Sequence, residues 1–592
     1  MVLLAILLQI AGTQSQDTRS ALIVGQVIDA ATKRPVAGAV VALAGPPASN
    51  GQPHPPLLTG SDGRFFFRGM SRGNYSITAI KGGFVTGAYG STRPGGPSAP
   101  VTVGDAERRD GIVVRLWRHA ALSGTVSDES GEQQVAVQVR AYRRTVAGGK
   151  RRYVSGGVAL TDDRGIYRIG NLVPGDYIVG TAPRHLSMPL SVGRDGTRQG
   201  QDMATELAGR GGLAVRDAVY VLGSGASTPP PPAGGRLAVY PPVFHPAAPA
   251  GEAASVITLH AGQDYDSADI QIAPVACVSV SGFIIGPDGP VTVTAVRLVP
   301  AVAVEIPADG DGLSTTTDRR GAFVFPAVPA GHYALRVNRG QSSGNAGRGG
   351  VEPAMFWVDL PLAVGAEDIE HLGVTANAGL RLSGRLEFEG DPSRPRGSLQ
   401  AVQILIVPAD VAAGTLAQPV VARADASGEF TSPPLPGGRY YVRIAASPSG
   451  WMFKAATLEG RDVTDTPLTV AADTSNVSIQ FTDRWSGLSG RVQADRGSAG
   501  DIAVIVFPTD IEAWGSSGVA PRRLRITRVN AGTGEYAFNL PAGDYYVIAV
   551  PDEQSADWQD VAFLEEASRE AVRVRIGEGE RRVHDVRVRR GR

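Results

Sequence analysis

An alternation of apolar and polar residues with a period of two recurs in five short segments of the chain. The clearest reads DDRGIYRIGNLVPGDYIV from Asp162, and similar segments begin at Ser61, Asp318, Asp425 and Gly532. A period of two is typical of a β-strand that buries one face. Each segment therefore predicts a turn, a strand, a second turn and a second strand, and we call it the hairpin motif.

Four positions recur at nearly fixed spacing in the hairpin motif. A turn glycine is followed by an aromatic residue two positions later, a second glycine ten positions later and a tyrosine twelve positions later; in the fifth copy the last two come one residue early. In chain order these residues are Gly63, Phe65, Gly73, Tyr75; Gly165, Tyr167, Gly175, Tyr177; Gly321, Phe323, Gly331, Tyr333; Gly428, Phe430, Gly438, Tyr440; and Gly534, Tyr536, Gly543, Tyr545.

These residue types suit a folding role. Both glycines can supply the positive φ that tight reversals need. The tyrosine can place its ring in the core and donate its hydroxyl to the backbone at a sandwich corner. Four residues after the turn glycine, a second residue on the same face of the strand is usually apolar, but the fourth copy has Ser432 there. We therefore predict a structural role for the hairpin motif.

A second pattern, Gly-x-(Val/Ile/Leu), precedes each hairpin motif by about 40 residues. Its first residue, here called the leading glycine, occurs at positions 25, 124, 282, 384 and 490. A unit that returns about every 100 residues indicates a tandem array. The sequence predicts an all-β chain of about five sandwich domains, at residues 21–119, 120–275, 276–378, 379–484 and 485–592, with a short helix near 561–571.

One insertion interrupts this period in the second domain. Residues 184–235 contain GSGASTPPPPAGG and are rich in glycine, serine and proline. Such composition is typical of linkers and loops. The insertion is predicted to be a mobile loop.

The first domain carries a family resemblance. The segments GQVIDAATKRPVAGAVVALAG and TGSDGRFFFRGMSRGNYSITAIKGGF resemble the carboxypeptidase regulatory-like domain. The resemblance weakens from the second domain to the fifth. It implies transthyretin-like β-sandwiches of the carbohydrate-binding-like fold, which are non-catalytic accessory or binding modules of envelope and secreted proteins.

Charge and cysteine content exclude several classes of protein. Lys plus Arg and Asp plus Glu each number 57, which leaves no net basic field for a nucleic-acid partner. The single cysteine, Cys277, cannot form an internal disulfide and is predicted to be a small buried side chain. No apolar run after the N-terminus reaches the length of a membrane-spanning helix.

The N-terminus resembles an export signal. An apolar run from Val2 to Ile10 is followed by small and polar residues, although no Lys or Arg precedes it. Residues 1–15 are predicted to be a signal peptide, so that the protein is exported to the periplasm, the cell surface or the medium.

Catalytic and metal motifs are weak. Residues 340–344, GQSSG, match the outline of a hydrolase nucleophile turn but lie in a Gly/Ser/Arg segment without a helix signal behind them. The eight histidines show no metal-ligand spacing, and the acidic segments DGDG at 309–312 and DYD at 264–266 do not complete a calcium loop. We predict no enzyme activity, no cofactor and no metal site.

Sugar binding would require an exposed aromatic platform. Trp117, Trp357 and Trp485 occur in strand-like runs and are predicted to lie in the core. Trp451 and Trp514 occur in loop contexts, SPSGWMF and DIEAWGSSG, and are the two candidate ligand-binding residues.

Two functions remain open. The first is a non-enzymatic envelope protein that binds carbohydrate or peptidoglycan-type ligands or acts as a scaffold. The alternative is an accessory array that supports a partner peptidase or an outer-membrane transport receptor. The expected partner is accordingly a glycan or an envelope protein.

Overall fold

A computed structural model describes residues 21–47, 52–181, 183–194, 198–222, 236–249, 251–300, 312–339, 355–391, 397–409, 419–493, 501–515, 521–530 and 533–588. The signal-peptide prediction lies outside these residues. The chain divides into two compact units, Met1–Arg118 with Ser498–Asp501 and Arg528–Thr533, and His119–Gly497 with Ile502–Thr527 and Gly534–Arg592.

The described residues form five β-sandwiches, which confirms the predicted fold class. In each, the strand with the leading glycine pairs antiparallel with the first strand of the hairpin motif and parallel with a later strand. The tyrosine strand belongs to the opposite sheet. The hairpin motif therefore crosses from one sheet to the other.

The first two sandwiches each contain two small sheets. The first sandwich has β1 Ala21–Asp29, β2 Val40–Ala44, β3 Leu57–Leu58, β4 Arg64–Met70, β5 Gly73–Ile80, β6 Phe84–Val85, β7 Gly87–Ala88, β8 Val101–Val103 and β9 Arg108–Arg118. The second has β10 Ala120–Ser127, β11 Gln138–Ala147, β12 Lys150–Leu160, β13 Ile166–Leu172 and β14 Gly175–Thr181, followed after the insertion by β19 Ile257–Leu259, β20 Asp264–Tyr265 and β21 Ile270–Gln271.

The insertion and the third sandwich follow. The insertion has β15 Arg184–Pro189, α1 Leu190–Arg194, α2 Arg198–Gly209, β16 Leu213–Val215 and β17 Ala218–Leu222, and β18 Ala238–Val239 comes after it. The third sandwich has β22 Val275–Gly286, β23 Gly289–Pro290, β24 Ala295–Pro300, β25 Gly312–Thr316, β26 Ala322–Pro329, β27 Gly331–Arg339, β28 Phe356–Val364, β29 Ile369–Thr375 and β30 Asn377–Ala378.

The last two sandwiches return to the simpler plan. The fourth has β31 Leu382–Glu389, β32 Gln403–Pro408, β33 Val420–Arg423, β34 Glu429–Thr431, β35 Gly438–Ala446, β36 Met452–Leu458, β37 Arg461–Asp462, β38 Leu468–Val470 and β39 Thr474–Thr482. The fifth has β40 Gly487–Gln493, β41 Ile502–Pro508, α3 Glu512–Gly515, β42 Arg525–Arg528, β43 Glu535–Asn539, β44 Gly543–Pro551, α4 Val561–Ser568, β45 Val572–Ile576, β46 Arg581–Val583 and β47 Val586–Arg587.

The hairpin motif folds as predicted, with one exception. The turn glycines have φ between +68° and +88°, and the ten aromatic residues at the second and fourth motif positions are at most 8% exposed. The second glycine has a positive φ in the first, second and fifth copies only. The prediction is wrong at Gly331 and Gly438, where an added Cβ would make ordinary contacts with the tyrosine ring.

The five corner tyrosines share one hydrogen bond. Each hydroxyl donates to the carbonyl oxygen four residues earlier, on Ser71, Val173, Pro329, Pro436 and Pro541, over 2.6 to 2.9 Å. Burial raises the pKa of each hydroxyl, to about 12 in Tyr333 and Tyr440. The hydroxyl therefore acts as a buried neutral donor that fixes the corner.

The prediction of a mobile loop for the insertion is wrong for its described part. β15 pairs with β17 and runs parallel to β25, so that the insertion extends one sheet of the third sandwich to eight strands. Met188, Val192, Leu207 and Val221 form a small buried cluster beneath α1 and α2. The insertion leaves the second sandwich after β14 and completes the third. Its proline run, 229–232, lies outside the described residues.

The predicted C-terminal helix is confirmed as α4. Asp560 caps it by accepting a hydrogen bond from the N–H of Ala562 over 2.9 Å. Leu564 and Ala567 are buried against the fifth core, where Trp558 also packs.

Candidate functional site

The structure describes only part of the motifs considered for catalysis and calcium. Residues 340–344 and 309–311 lie outside the described part of the chain. Asp264 is engaged by Arg168 over 2.9 Å. No group of three His, Cys, Asp or Glu side chains suited to a metal ion occurs among the described residues.

The structure corrects the prediction that two tryptophans form a sugar platform. Trp451 is 2% exposed and packs edge-on against Phe388, with 4.9 Å between ring centroids. Trp514 is 1% exposed, and its indole N–H donates to the carbonyl oxygen of Pro508 over 2.7 Å. Neither ring presents a face on which a sugar could stack.

The tryptophans predicted to be core residues behave less uniformly. Trp117 is buried, but Trp357 and Trp485 are half-buried. The indole N–H of Trp357 donates to the carbonyl oxygen of Ala378 over 3.1 Å, and that of Trp485 donates to the carbonyl oxygen of Gly450 over 3.3 Å. Strand-like or loop-like sequence context was therefore a poor guide to tryptophan burial in this chain.

A cleft in the fourth sandwich is the strongest candidate binding site. It is an open cleft of about 490 Å³ that lies where β33 and β34, the edge strands of the two sheets, come together. An isolated β-bridge between Ala424, which follows β33, and Phe430 of β34 connects these two edge strands at one end. Its walls are formed by Arg381, Gln403, Val421, Ala422, Arg423, Thr431, Ser432 and Pro433.

The cleft lies at the position where the fourth hairpin motif departs from the others. Ser432 occupies the inward position that Phe67, Ile169, Phe325 and Phe538 fill elsewhere. The serine is fully buried, and its hydroxyl accepts a hydrogen bond from the N–H of Leu382 over 2.9 Å. Because serine has a much smaller side chain than phenylalanine, the wall here is polar and recessed.

Charge on the cleft is positive. Arg381 is half-buried, and its Nη1 donates to the carbonyl oxygen of Ser432 over 3.0 Å, which holds the guanidinium at the wall. Arg423 is exposed at the rim and forms no ion pair with any described residue. None of the eight wall residues is acidic. The cleft can therefore bind a carboxylate through two guanidinium groups and neighbouring hydroxyls through Gln403 and Thr431.

Sequence reasoning missed this site because its arginines are far apart in the chain and belong to no motif. The available signal was Ser432, which breaks the apolar position of the repeat. A polar residue at a position that is otherwise buried and apolar marks a local change in packing.

The described part of the chain contains no helix of the length and apolarity that membrane crossing requires. No curated protein matches the chain in sequence.

Comparison with solved structures finds distant similarity to three bacterial proteins. The Bacillus anthracis TIE protein is 13% identical over 79% of this chain and 76% of its own, with a TM-score of 0.15. A streptococcal ancillary pilin is 10% identical over 61% and 99%, with a TM-score of 0.21. Two B repeat units of the collagen-binding protein of Staphylococcus aureus are 11% identical over 78% and 99%, with a TM-score of 0.12. TM-scores this low support no conclusion about function.

The sequence-family comparison is confined to the first sandwich. Residues 22–110 match the profile of the carboxypeptidase regulatory-like domain. This segment contains the leading glycine Gly25, the hairpin motif and the corner tyrosine Tyr75. The chain is thus similar to the carboxypeptidase regulatory-like domain family over its first sandwich, as the sequence resemblance predicted.

Proposed function

We propose that the protein is an exported, non-enzymatic β-sandwich repeat protein of the cell envelope that binds acidic carbohydrate through the cleft of its fourth sandwich. The observation that carries the proposal is the pairing of Arg381 and Arg423 with the polar wall at Ser432. Export rests on the resemblance of residues 1–15 to a signal peptide.

The chemistry of the cleft favours a charged sugar over a neutral one. Both tryptophans that were candidates for stacking against a sugar are buried, so neither gives the cleft an aromatic surface. Arginine binds carboxylates with two parallel hydrogen bonds, and the adjacent amide and hydroxyl groups suit the hydroxyls of a sugar ring. A sugar acid of the peptidoglycan type, such as N-acetylmuramic acid, combines both features.

Calorimetric titration with N-acetylmuramic acid and with neutral N-acetylglucosamine tests this proposal. We expect the acid to bind more tightly, and Arg423→Gln to raise its Kd about tenfold, which is about 1.4 kcal/mol. Arg385→Gln is the matched control, because Arg385 lies on β31 of the same sandwich and pairs with Glu387. The recovered sugar should be chemically unchanged.

The proposal fails if both sugars bind alike or if Arg423→Gln and Arg385→Gln have the same effect. The far-ultraviolet circular dichroism spectrum would show whether Arg423→Gln loses binding because it loses its fold. In that case the smaller change Arg423→Lys, which keeps the charge but not the planar fork, should weaken binding in a folded protein.

One observation favours the alternative of an accessory array for a partner peptidase or transport receptor. On the outer face of the first sandwich, Val40 lies opposite both Leu58 and Ile80, and the three side chains are 40, 71 and 52% exposed. Adjacent exposed apolar side chains are typical of protein contact surfaces. A Leu58→Asp variant that no longer co-purifies with a peptidase or receptor would support this alternative.

A further inference from the structure

Four arginines gather where the fourth and fifth sandwiches meet within the second compact unit. Arg443 comes from β35 of the fourth sandwich. From the fifth sandwich, Arg522 and Arg523 lie just before β42, and Arg525 is the first residue of that strand. We call these residues the arginine cluster. It is separate from the wall of the cleft described above.

Arg443 is the buried member of the arginine cluster. It is 8% exposed, and its Nη1 donates to the carbonyl oxygens of Thr464 over 2.6 Å and Val442 over 3.1 Å. Its guanidinium also stacks 4.7 Å from the ring centroid of Tyr441. These carbonyls and this ring orient the cation.

Arg522 joins the two sandwiches. Its Nη1 donates to the carbonyl oxygens of Lys454 over 2.6 Å and Phe453 over 3.2 Å. Its Nε is buried and has no hydrogen-bond partner. A buried N–H of a charged group that lacks an acceptor is costly, so the hydrogen-bonding capacity of this guanidinium is not fully used within the protein.

Positive charge exceeds negative charge among the described residues of the cluster. Asp465 lies 3.4 Å from Arg522 Nη2 and 4.0 Å from Arg523 Nε. Asp462 acts on Arg523 from farther away and already accepts hydrogen bonds from Thr464. Four guanidinium groups therefore face two carboxylates.

The pKa directions of two members of the cluster agree with this imbalance, whereas the pKa of Arg523 is raised because its burial is outweighed by Tyr545 and the carboxylates of Asp465 and Asp462. Burial lowers the pKa of Arg443, and repulsion from Arg522 and Arg525 lowers it further despite the attraction of Asp465. Partial burial and repulsion from Arg522 also lower the pKa of Arg525. Such a cluster would be stabilised by an added anion.

We propose that the arginine cluster binds a phosphate-type oxyanion that bridges the fourth and fifth sandwiches. A tetrahedral oxyanion offers several acceptor oxygens at once, and guanidinium groups are well matched to that geometry. The anion can be free inorganic phosphate or a phosphate group carried on an envelope polymer. This site goes beyond the proposed sugar cleft and takes a different ligand.

Thermal unfolding and calorimetry of the full chain with inorganic phosphate test the proposal, with chloride at matched ionic strength as reference. Phosphate also stabilises proteins weakly through exclusion from their surfaces, so saturable binding at low millimolar concentration is the required result. We expect Arg525→Gln, which removes an exposed member of the cluster, to raise the half-saturating concentration about tenfold. Arg491→Gln is the matched control, because Arg491 lies on β40 of the same sandwich and pairs with Glu535.

Two further arms complete the test. Glycerol 3-phosphate, a phosphate ester, should bind at least as tightly as inorganic phosphate if the natural ligand is a phosphate carried on a polymer, and clearly more weakly if the natural ligand is the free ion. Arg443→Met removes the buried charge and should abolish phosphate binding; if that variant does not fold, Arg523→Gln takes its place with the expected tenfold loss. The proposal is overturned if phosphate binding does not saturate, or if Arg525→Gln and Arg491→Gln respond alike.

The two sites can be separated by their variants. Arg525→Gln should leave binding of N-acetylmuramic acid unchanged, and Arg423→Gln should leave phosphate binding unchanged. Failure at one site therefore does not imply failure at the other.

Discussion

Each leading glycine is constrained by two neighbouring strands at once. In every sandwich it lies opposite the aromatic residue of the hairpin motif, as in the pairs Gly25 with Phe65 and Gly384 with Phe430. A Cβ at any of the five positions would lie well within 3.0 Å of a backbone carbonyl oxygen. This oxygen belongs to the parallel strand in the first, third and fourth sandwiches, and to a residue between two short parallel strands in the second and fifth. Gly-x-(Val/Ile/Leu) recurs because a side chain has no room there.

Gly384→Ala is expected to destabilise the fourth sandwich by about 3 kcal/mol, the upper range for overpacking a core. The added Cβ would overlap the carbonyl oxygen of Val477, so the strands β31 and β39 must separate. Gly438→Ala is the control: its Cβ would be 3.5 Å from the ring of Tyr440, an ordinary contact.

Hydrogen–deuterium exchange of peptides from the fourth sandwich provides the measurement, because unfolding of a five-sandwich chain is not two-state. Faster exchange should be confined to β31, β34 and β39 in Gly384→Ala. Equal exchange in the two variants would contradict the steric explanation.

At the scale of elements, docking of the insertion depends on a buried histidine. His185 on β15 is 5% exposed, and its Nδ1 lies 2.6 Å from the hydroxyl of Tyr220 on β17. Burial lowers the pKa of His185 to about 4, and it raises the pKa values of Tyr220 and of nearby Cys277. Of His185, Tyr220 and Cys277, the histidine is therefore the group that changes its protonation state between pH 4 and 7.

We expect the docked insertion to lose stability as the pH falls from 6.5 to 4. The folded segment keeps His185 neutral, whereas the unfolded segment takes up a proton near the ordinary pKa, so stability is complete above pH 6.5. The loss reaches about 3 kcal/mol at pH 4 and then levels off. Limited proteolysis of residues 184–222 across this range provides the measurement.

His185→Phe keeps an aromatic ring beside Tyr220 but cannot be protonated, so cleavage should become independent of pH in this window. His260→Gln, at an exposed position, should behave like the unchanged protein. Persistence of the full pH dependence in His185→Phe would assign it to another group.

Within the second compact unit, sandwiches that are far apart in the sequence are in contact. The tip of the β11–β12 hairpin in the second sandwich contacts the helical part of the fifth. Arg151 pairs with Asp560 over 2.6 Å, and the N–H of Gly148 donates to Gln559 over 3.3 Å. The ion pair is largely exposed on the arginine side and is expected to contribute under about 1 kcal/mol. We expect the close backbone packing at Gly149 to contribute more to the stability of this contact.

Gly149→Ala is expected to detach this hairpin from the fifth sandwich. Its Cβ would overlap the carbonyl oxygen of Trp514, whereas Gly131 of the same sandwich, which also has positive φ, has nothing within 4 Å. Gly131→Ala therefore reproduces the backbone strain without the clash. Exchange in α3 and α4 should rise in Gly149→Ala alone, and an equal rise in both variants would show that strain explains the change.

The repeated fold follows from local sequence patterns, whereas the candidate sites depend on contacts that form only when the chain folds. Turn glycines, corner tyrosines and the period of two act over a few residues, so the five sandwiches could be predicted from local patterns. Burial of Trp451 and docking of β15 onto β25 depend on residues distant in sequence, and both were predicted wrongly. The cleft at Ser432 and the arginine cluster also combine residues from separate strands, because sheet edges and sandwich junctions form only when the chain folds.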